Sequence, residues 1–138
     1  MVEIRNAALD DIDEVAALWR QFGGPTRSLG QHDEARALLA RDPEALIVAC
    51  ADGAGVIGSL IVGWDGWRCH LYRLVVHPDH RREGVAGLLL AEGRRRAVAL
   101  GAARLDAMVH RDNVGAIAFW EAQDFELQDD DARWSLVL

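Results

Sequence analysis

Apolar residues recur along this chain in two rhythms, and each rhythm predicts a kind of element. Val2–Arg5 reads as a short first strand. After it, Asp10 or Asp11 is placed to cap a helix whose apolar positions Ile12, Val15, Ala16, Leu18 and Trp19 fall at helical spacing. That helix is expected to end at Gly23-Gly24-Pro25. A second, shorter helix is expected from about Leu29 to Ala40, with Ala35, Leu38 and Leu39 on its apolar side, stopping before Pro43. Ala45–Ala51 and Val56–Trp64 are β-rich runs separated by Asp52-Gly53-Ala54-Gly55, a hairpin signal. The turn Asp65-Gly66-Trp67-Arg68 leads into the strand Cys69–Val76, so three consecutive strands form an antiparallel meander. A long helix from about Gly84 to Leu100 is closed by Gly101. Ala103–Val109 reads as a strand, Asn113–Gln123 as a helix, and Phe125–Leu127 with Trp134–Leu138 as a terminal strand pair around the Asp129–Asp131 run. The order is mixed α/β.

Length and composition narrow this picture. At 138 residues the chain is expected to form a single domain over 1–138, and 51% apolar with 27% charged residues is a globular balance. No apolar run approaches the ~18 residues of a membrane span, and nothing at the start reads as a secretory signal, so a cytoplasmic, membrane-free protein is expected. Cys50 and Cys69 are too isolated for a disulfide framework or a metal knuckle. They read as small buried strand residues, and no metal is expected. A net charge of -7 argues against a nucleic-acid partner and suits a cationic or neutral substrate.

The chemistry concentrates in Leu71–Gly87, where a strand runs through a polar turn straight into a helix. The first turn of a helix carries backbone N–H groups without intrahelical partners, and the macrodipole adds partial positive charge there. Such a junction binds anions, a pyrophosphate among them. Gly84 removes a Cβ from the approach, Ala86 keeps the next turn narrow, and Arg81 and Arg82 add charge. There is no Gly-Lys-Ser/Thr of a P-loop and no G-x-G-x-x-G of a dinucleotide fold. A plain strand–helix connection with a solvated arginine pair is the other reading of these residues.

Arg81-x-x-Gly84-x-Ala86 after Val76-His77-Pro78 resembles the signature of the GNAT superfamily of N-acyltransferases. Asn113-x-x-Ala116-x-x-Phe119-Trp120-x-x-x-Asp124-Phe125 resembles the second motif of that superfamily, and Ile4-Arg5 before Asp10-Asp11 its opening. The turn Gly63–Arg68 is further similar to that of a small bacterial subgroup, the YpeA-like acetyltransferases.

The resemblance implies an α/β (α+β) fold. Its sheet would be mixed, mostly antiparallel and six- to seven-stranded, splayed between strands 4 and 5 and flanked by about four helices. It implies transfer of an acetyl group from acetyl-CoA to a small-molecule or peptide amine by direct attack in a ternary complex, and a homodimer is compatible with it. Leu74, Val75 and Val76 would pair with the pantetheine arm. Arg81, Arg82, Glu83, Gly84, Val85, Ala86 and Gly87 would cradle the pyrophosphate. Asn113 would contact the cofactor arm, with Phe119 beside it; Asn113 also reads as a plain helix cap, and both can hold.

Departures from the pattern bear on catalysis. Trp120 stands where many relatives have a tyrosine acid, and an indole N–H is too weak an acid for that role, which leaves Trp120 to wall the cofactor. Tyr72 stands where relatives place a carboxylate, as a donor or substrate contact, or as a half-buried strand aromatic. Met108 removes another carboxylate, and strand alternation would put His110 on its face, as a base or water-holder or else as a strand-end histidine. Asp65 is a competing carboxylate, although an Asp before Gly in a turn is usually structural. Asp124 replaces a glycine at a position expected to need positive φ. Asp33, Glu34, Glu126 and Asp129–Asp131 would form acidic walls for the amine, or an ordinary solvated face. Two other classes remain open: a catalytically silent acyl-CoA-binding sensor, and an interaction domain without cofactor.

Overall fold

Asp11 does not cap the first helix with its side chain; it turns back toward the first strand instead. In the computed structural model, which describes residues 1–24 and 30–138, a 3-10 turn at Leu9–Asp11 precedes α1 (Ile12–Phe22). The Asp11 carboxylate accepts from Ala8 N at 2.7 Å and from two nitrogens of Arg5, on β1 (Val2–Asn6). The first strand thus fixes where α1 begins. The second helix, α2 (Gln31–Arg41), follows expectation, except that the anticipated start at Leu29 lies outside the described residues.

The chain forms two compact units, Met1–Ala107 and Met108–Leu138. In the first, β1 pairs antiparallel with β2 (Leu46–Ala51), β2 with β3 (Gly55–Trp64), and β3 with β4 (Cys69–Val76). A short β5 (Leu105–Ala107) lies parallel to β4, so the sheet order is β1-β2-β3-β4-β5. Positive φ at Gly53 and Gly55, 75° and 70°, lets the β2–β3 turn close as the sequence foretold.

One face of the sheet is covered by α1 and α2, whose Val15, Leu18, Trp19, Ala35 and Leu39 join Leu46, Val48, Val56 and Val75 in one cluster. The other face takes α3 (Val85–Leu100). A Cβ on Gly58 of β3 would come within 3.1 Å of Leu89 Cδ1 and 3.3 Å of Val85 Cγ1, and one on Gly93 of α3 within 2.9 Å of Leu60 Cδ2. The two glycines therefore let helix and strand approach closely. Leu60, Val62 and Leu89 are buried between them; each such side chain contributes about 1.5–3 kcal/mol. Gly101, at φ 88°, closes α3 as expected, its N–H donating to Val98 O while Ala102 N donates to Ala97 O.

The second unit holds α4 (Val114–Ala122), capped by Asn113, whose Oδ1 accepts from Ala116 N at 3.1 Å. Trp120 packs edge-on against Phe119 and Phe125, with centroids 5.3 and 4.7 Å away. Asp124 adopts φ 68°, the left-handed conformation foreseen for it.

Two expectations are corrected here. Phe125–Leu127 and Trp134–Leu138 form no ladder, so the described sheet has five strands rather than six or seven. Their alternation supplies a strand-like pattern, but a strand also needs a neighbour for its N–H and C=O groups, and Leu127, Trp134, Leu136 and Leu138 stand exposed. The strand expected over Ala103–Val109 shortens to β5, which ends at Ala107. No helix among the described residues is long and apolar enough to cross a membrane.

Candidate active site

The site begins with an irregularity in β4. Ile61 pairs with Tyr72 and Ser59 with Val75, so two steps along β3 oppose three along β4. The extra residue is a β-bulge at Arg73–Leu74, with Arg73 at φ 54°. A bulge breaks the alternation of faces. Leu71 accordingly lies on the α3 side, 3.9 Å from the Cβ position of Gly93, whereas Val75 joins the α1–α2 cluster. Two buried hydrogen bonds hold the bulge: Trp19 Nε1 donates to Ser59 Oγ at 2.8 Å, and Ser59 Oγ donates to the Arg73 carbonyl at 2.8 Å. The Arg73 guanidinium lies 5.1 Å from the Trp19 ring centroid. Burial lowers its pKa, and the charge of Glu34 partly offsets that.

The parallel β4–β5 ladder covers only Cys69, His70 and Leu71. From Tyr72 to Val76, β4 runs on past the last residue paired with β5. Leu74, Val75 and Val76 lie on this stretch.

Beyond Val76 the chain turns tightly. His77 N donates to Ile57 O at 2.8 Å, and the His77 Nδ1 accepts from Asp79 N at 3.1 Å, capping a 3-10 turn at Pro78–His80. The His77 ring meets Phe22 edge-on, and His80 Nδ1 lies 3.4 Å from Glu83 Oε2, so both histidines shape the turn. Arg81 Nε donates to Val76 O at 3.3 Å, tying the end of β4 to the loop that follows. Arg82 then takes φ 65° and Gly84 φ 80°.

Gly84 is the N-cap of α3, and its carbonyl accepts from Leu88 N at 3.1 Å. No side chain caps this end, and its first turn carries no acidic residue. A Cβ at Gly84 or at Gly87 would meet nothing within 4 Å. The first turn of α3 therefore leaves its backbone donors uncapped beside open space, with Arg81 and Arg82 exposed nearby. Val85 is buried against the sheet and anchors the turn. The residues present fit a diphosphate.

Tyr72 is 43% exposed, and its ring stacks on His70 with centroids 5.9 Å apart. His70 escaped the sequence reading, although its i, i+2 spacing from Tyr72 on one strand marks a shared face. Asp65 accepts from Trp67 N at 2.8 Å and Arg68 N at 2.7 Å; these backbone bonds hold its pKa below the usual carboxylate value and make it a turn residue. Asn113, Phe119, Trp120 and the exposed His110 lie in the second unit. Because β5 ends at Ala107, no strand carries the alternation that paired His110 with Met108. Among the described residues no cluster could hold a metal ion. The sequence reading also missed Ser59, Trp19 and Arg73 as a group; the available signal was a lone hydroxyl inside the apolar run of β3.

A family model described as the acetyltransferase (GNAT) family matches residues 12–125. An acetyltransferase of Yersinia pestis (strain Pestoides F) is 35% identical over 134 residues, covering 93% of this chain and 90% of its own length. One from Sodalis glossinidius (strain morsitans) is 34% identical, covering 93% and 89%. Among solved structures, Ard1 from Thermoplasma volcanium is similar with a TM-score of 0.82 at 20% identity, over 92% of this chain and 84% of that one. Aminoglycoside N-acetyltransferase AAC(6')-Iy in complex with CoA is similar with a TM-score of 0.77 at 21% identity, over 100% and 93%. The two structures show a shared fold. The chain belongs to the acetyltransferase (GNAT) family. Its activity class is that of an acetyl-CoA-dependent N-acetyltransferase.

Proposed function

We propose that the protein moves an acetyl group from acetyl-CoA to a primary amine, with both substrates bound at once. The observation that carries this reading is the continuity between the stretch of β4 beyond the β5 ladder and the open, uncapped first turn of α3. Arg81, Arg82, Glu83, Gly84, Val85, Ala86 and Gly87 hold the diphosphate through main-chain N–H groups and the two guanidinium groups. Leu74, Val75 and Val76 receive the pantetheine arm by main-chain pairing, as an added strand would be received. When bound, acetyl-CoA supplies an acyl group activated as a thioester. A fixed N–H on the β4 edge polarises the acyl oxygen, a contribution of about 3 kcal/mol where one such donor is removed.

Asn113, Phe119 and Trp120 complete the cofactor-binding set. The family match over 12–125 spans both compact units, which supports reading 1–138 as one catalytic domain. Tyr72 orients the amine, and His110 takes its proton or holds the water that does. A cationic amine is favoured by the net charge of -7 and by the exposed Asp33 and Glu34 of α2.

Calorimetric titration with CoA, followed by a thiol-release assay over polyamines, amino acids and peptides, tests the reading. Binding and amine-dependent thiol release support it. Binding with no release from any amine points to the silent acyl-CoA-binding module, and no binding at all removes the cofactor site.

A further inference from the structure

Ser59 is fully buried in an apolar strand, where alanine would fill nearly the same volume without a hydroxyl to desolvate. Its hydroxyl is instead used twice, accepting from Trp19 of α1 and donating to the carbonyl of Arg73 in the β4 bulge. The bulge needs that support. Arg73 holds a left-handed backbone, which costs a non-glycine residue about 1–2 kcal/mol. The β3–β4 register also shifts here, the stretch Tyr72–Val75 being one residue longer than the stretch Ser59–Ile61 it faces. Ser59 adds a side-chain bond to that irregular stretch. Trp19 grips Arg73 at both ends, its indole N–H acting through Ser59 on the carbonyl and its ring facing the guanidinium.

We propose that Ser59, held by Trp19, is a positioning residue for acyl transfer: by fixing the bulge it sets the direction of the main-chain groups of Leu74–Val76. This rests on the reading of β4 as the edge that receives the acyl arm. Without the clamp the bulge is less firmly held, so the main-chain N–H that polarises the acyl oxygen is less well aimed while the pairing of the arm along Leu74–Val76 is kept. The first turn of α3 at Gly84–Gly87, proposed for the diphosphate, belongs to a different element, which meets the end of β4 through the bond from Arg81 Nε to Val76 O. The consequence is a division of labour in which the clamp governs the rate of transfer and the α3 turn governs affinity.

The test compares wild type, Ser59→Ala and Trp19→Phe for kcat, KM for acetyl-CoA and CoA Kd, each measured well below its own unfolding midpoint. Ser59→Ala is expected to lower kcat about 10- to 100-fold while KM and Kd stay within about threefold, less than half a decade of affinity. Trp19→Phe keeps the ring and the Ser59–Arg73 bond but loses the indole donor, and its kcat should fall between the two. A Ser59→Ala protein with wild-type kcat, or one whose loss lies in KM and Kd, overturns the proposal. Should Ser59→Ala not fold, Trp19→Phe decides alone: lowered kcat at unchanged KM supports the clamp, and wild-type kcat removes it. Wild-type protein that neither binds CoA nor releases thiol overturns the reading of the site and this proposal together, whereas an active wild type with an equally active Ser59→Ala overturns this proposal only.

Discussion

Arg5 grips Asp11 with both terminal nitrogens, Nη1 to Oδ2 at 2.7 Å and Nη2 to Oδ1 at 3.0 Å, and so joins β1 to the entry of α1. The hydrogen bonds from Arg5, with a further one from Ala8 N, hold the Asp11 carboxyl below its usual range, against the opposing effect of burial. The unfolded chain, with an ordinary Asp near pH 4, binds the proton first as pH falls. Stability from this pair is therefore complete above about pH 4 and is lost as pH drops through the lower folded value. Urea unfolding of wild type against Asp11→Asn is expected to show the variant about 1–2 kcal/mol less stable at pH 7. The gap should close as pH falls below the ordinary Asp range, and a pH-independent gap would count against the ion pair as its cause.

Gly87 offers a substitution whose two effects have opposite signs. It sits in the first turn of α3 with open space where a Cβ would go and no positive φ. Gly87→Ala should raise stability by about 0.4–1 kcal/mol, because alanine has less backbone freedom to lose. The same methyl group enters the hollow proposed for the diphosphate, and loss of a single charge-assisted hydrogen bond weakens CoA about tenfold or more. Thermal unfolding and calorimetric titration of one protein sample check both. Gly84→Val should weaken CoA as well, but its φ of 80° adds a backbone strain of about 1–3 kcal/mol that Gly87→Ala avoids.

The close approach of α3 to β3 ranks two further glycines. A Cβ at Gly58 stands 3.2 Å from the carbonyl oxygen of Val75, a backbone atom that cannot swing aside, so Gly58→Ala is expected to cost about 1–3 kcal/mol. At Gly93 the nearest obstacle is the end of the Leu60 side chain, which can rotate. Gly93→Ala also gains helix propensity of about 1 kcal/mol, so its net effect should stay near zero. Chemical denaturation that ranked Gly93→Ala as the worse variant would show that α3 sits differently on the sheet.

Roles for Tyr72 and His110 separate by how the loss divides between kcat and the KM of the amine. His110→Gln is expected to lower kcat about 100-fold, since a base contributes about 10²–10⁴-fold. Tyr72→Phe should act mainly by raising the KM of the amine. If His110→Gln keeps its rate, the proton leaves by another route, and His70 beside Tyr72 is the next residue to replace.

Much of the fold was legible because the signals are local. Helical spacing from Ile12 to Trp19, the glycines at 53, 55 and 101, and the Asn113 cap each act within a few residues, and the structure keeps them all. The junction proposed to take the diphosphate was legible for the same reason, since a strand, a polar turn and a helix N-terminus are contiguous from Leu71 to Gly87. The terminal strand pair was not, because alternation describes one chain whereas a ladder requires two. Asp11 also misled: Asp before a helix reads as a cap until Arg5 offers it a stronger partner.

By itself the sequence determined the order of elements from β1 to α4 and the backbone chemistry of the α3 turn, because glycine, proline and apolar periodicity act on their own neighbourhood. The tertiary structure alone decided where β4 breaks its alternation. Trp19 lies 40 residues from Ser59 in the chain, and Ser59 lies 14 from Arg73. No local pattern can announce hydrogen bonds that exist only once α1, β3 and β4 have packed together.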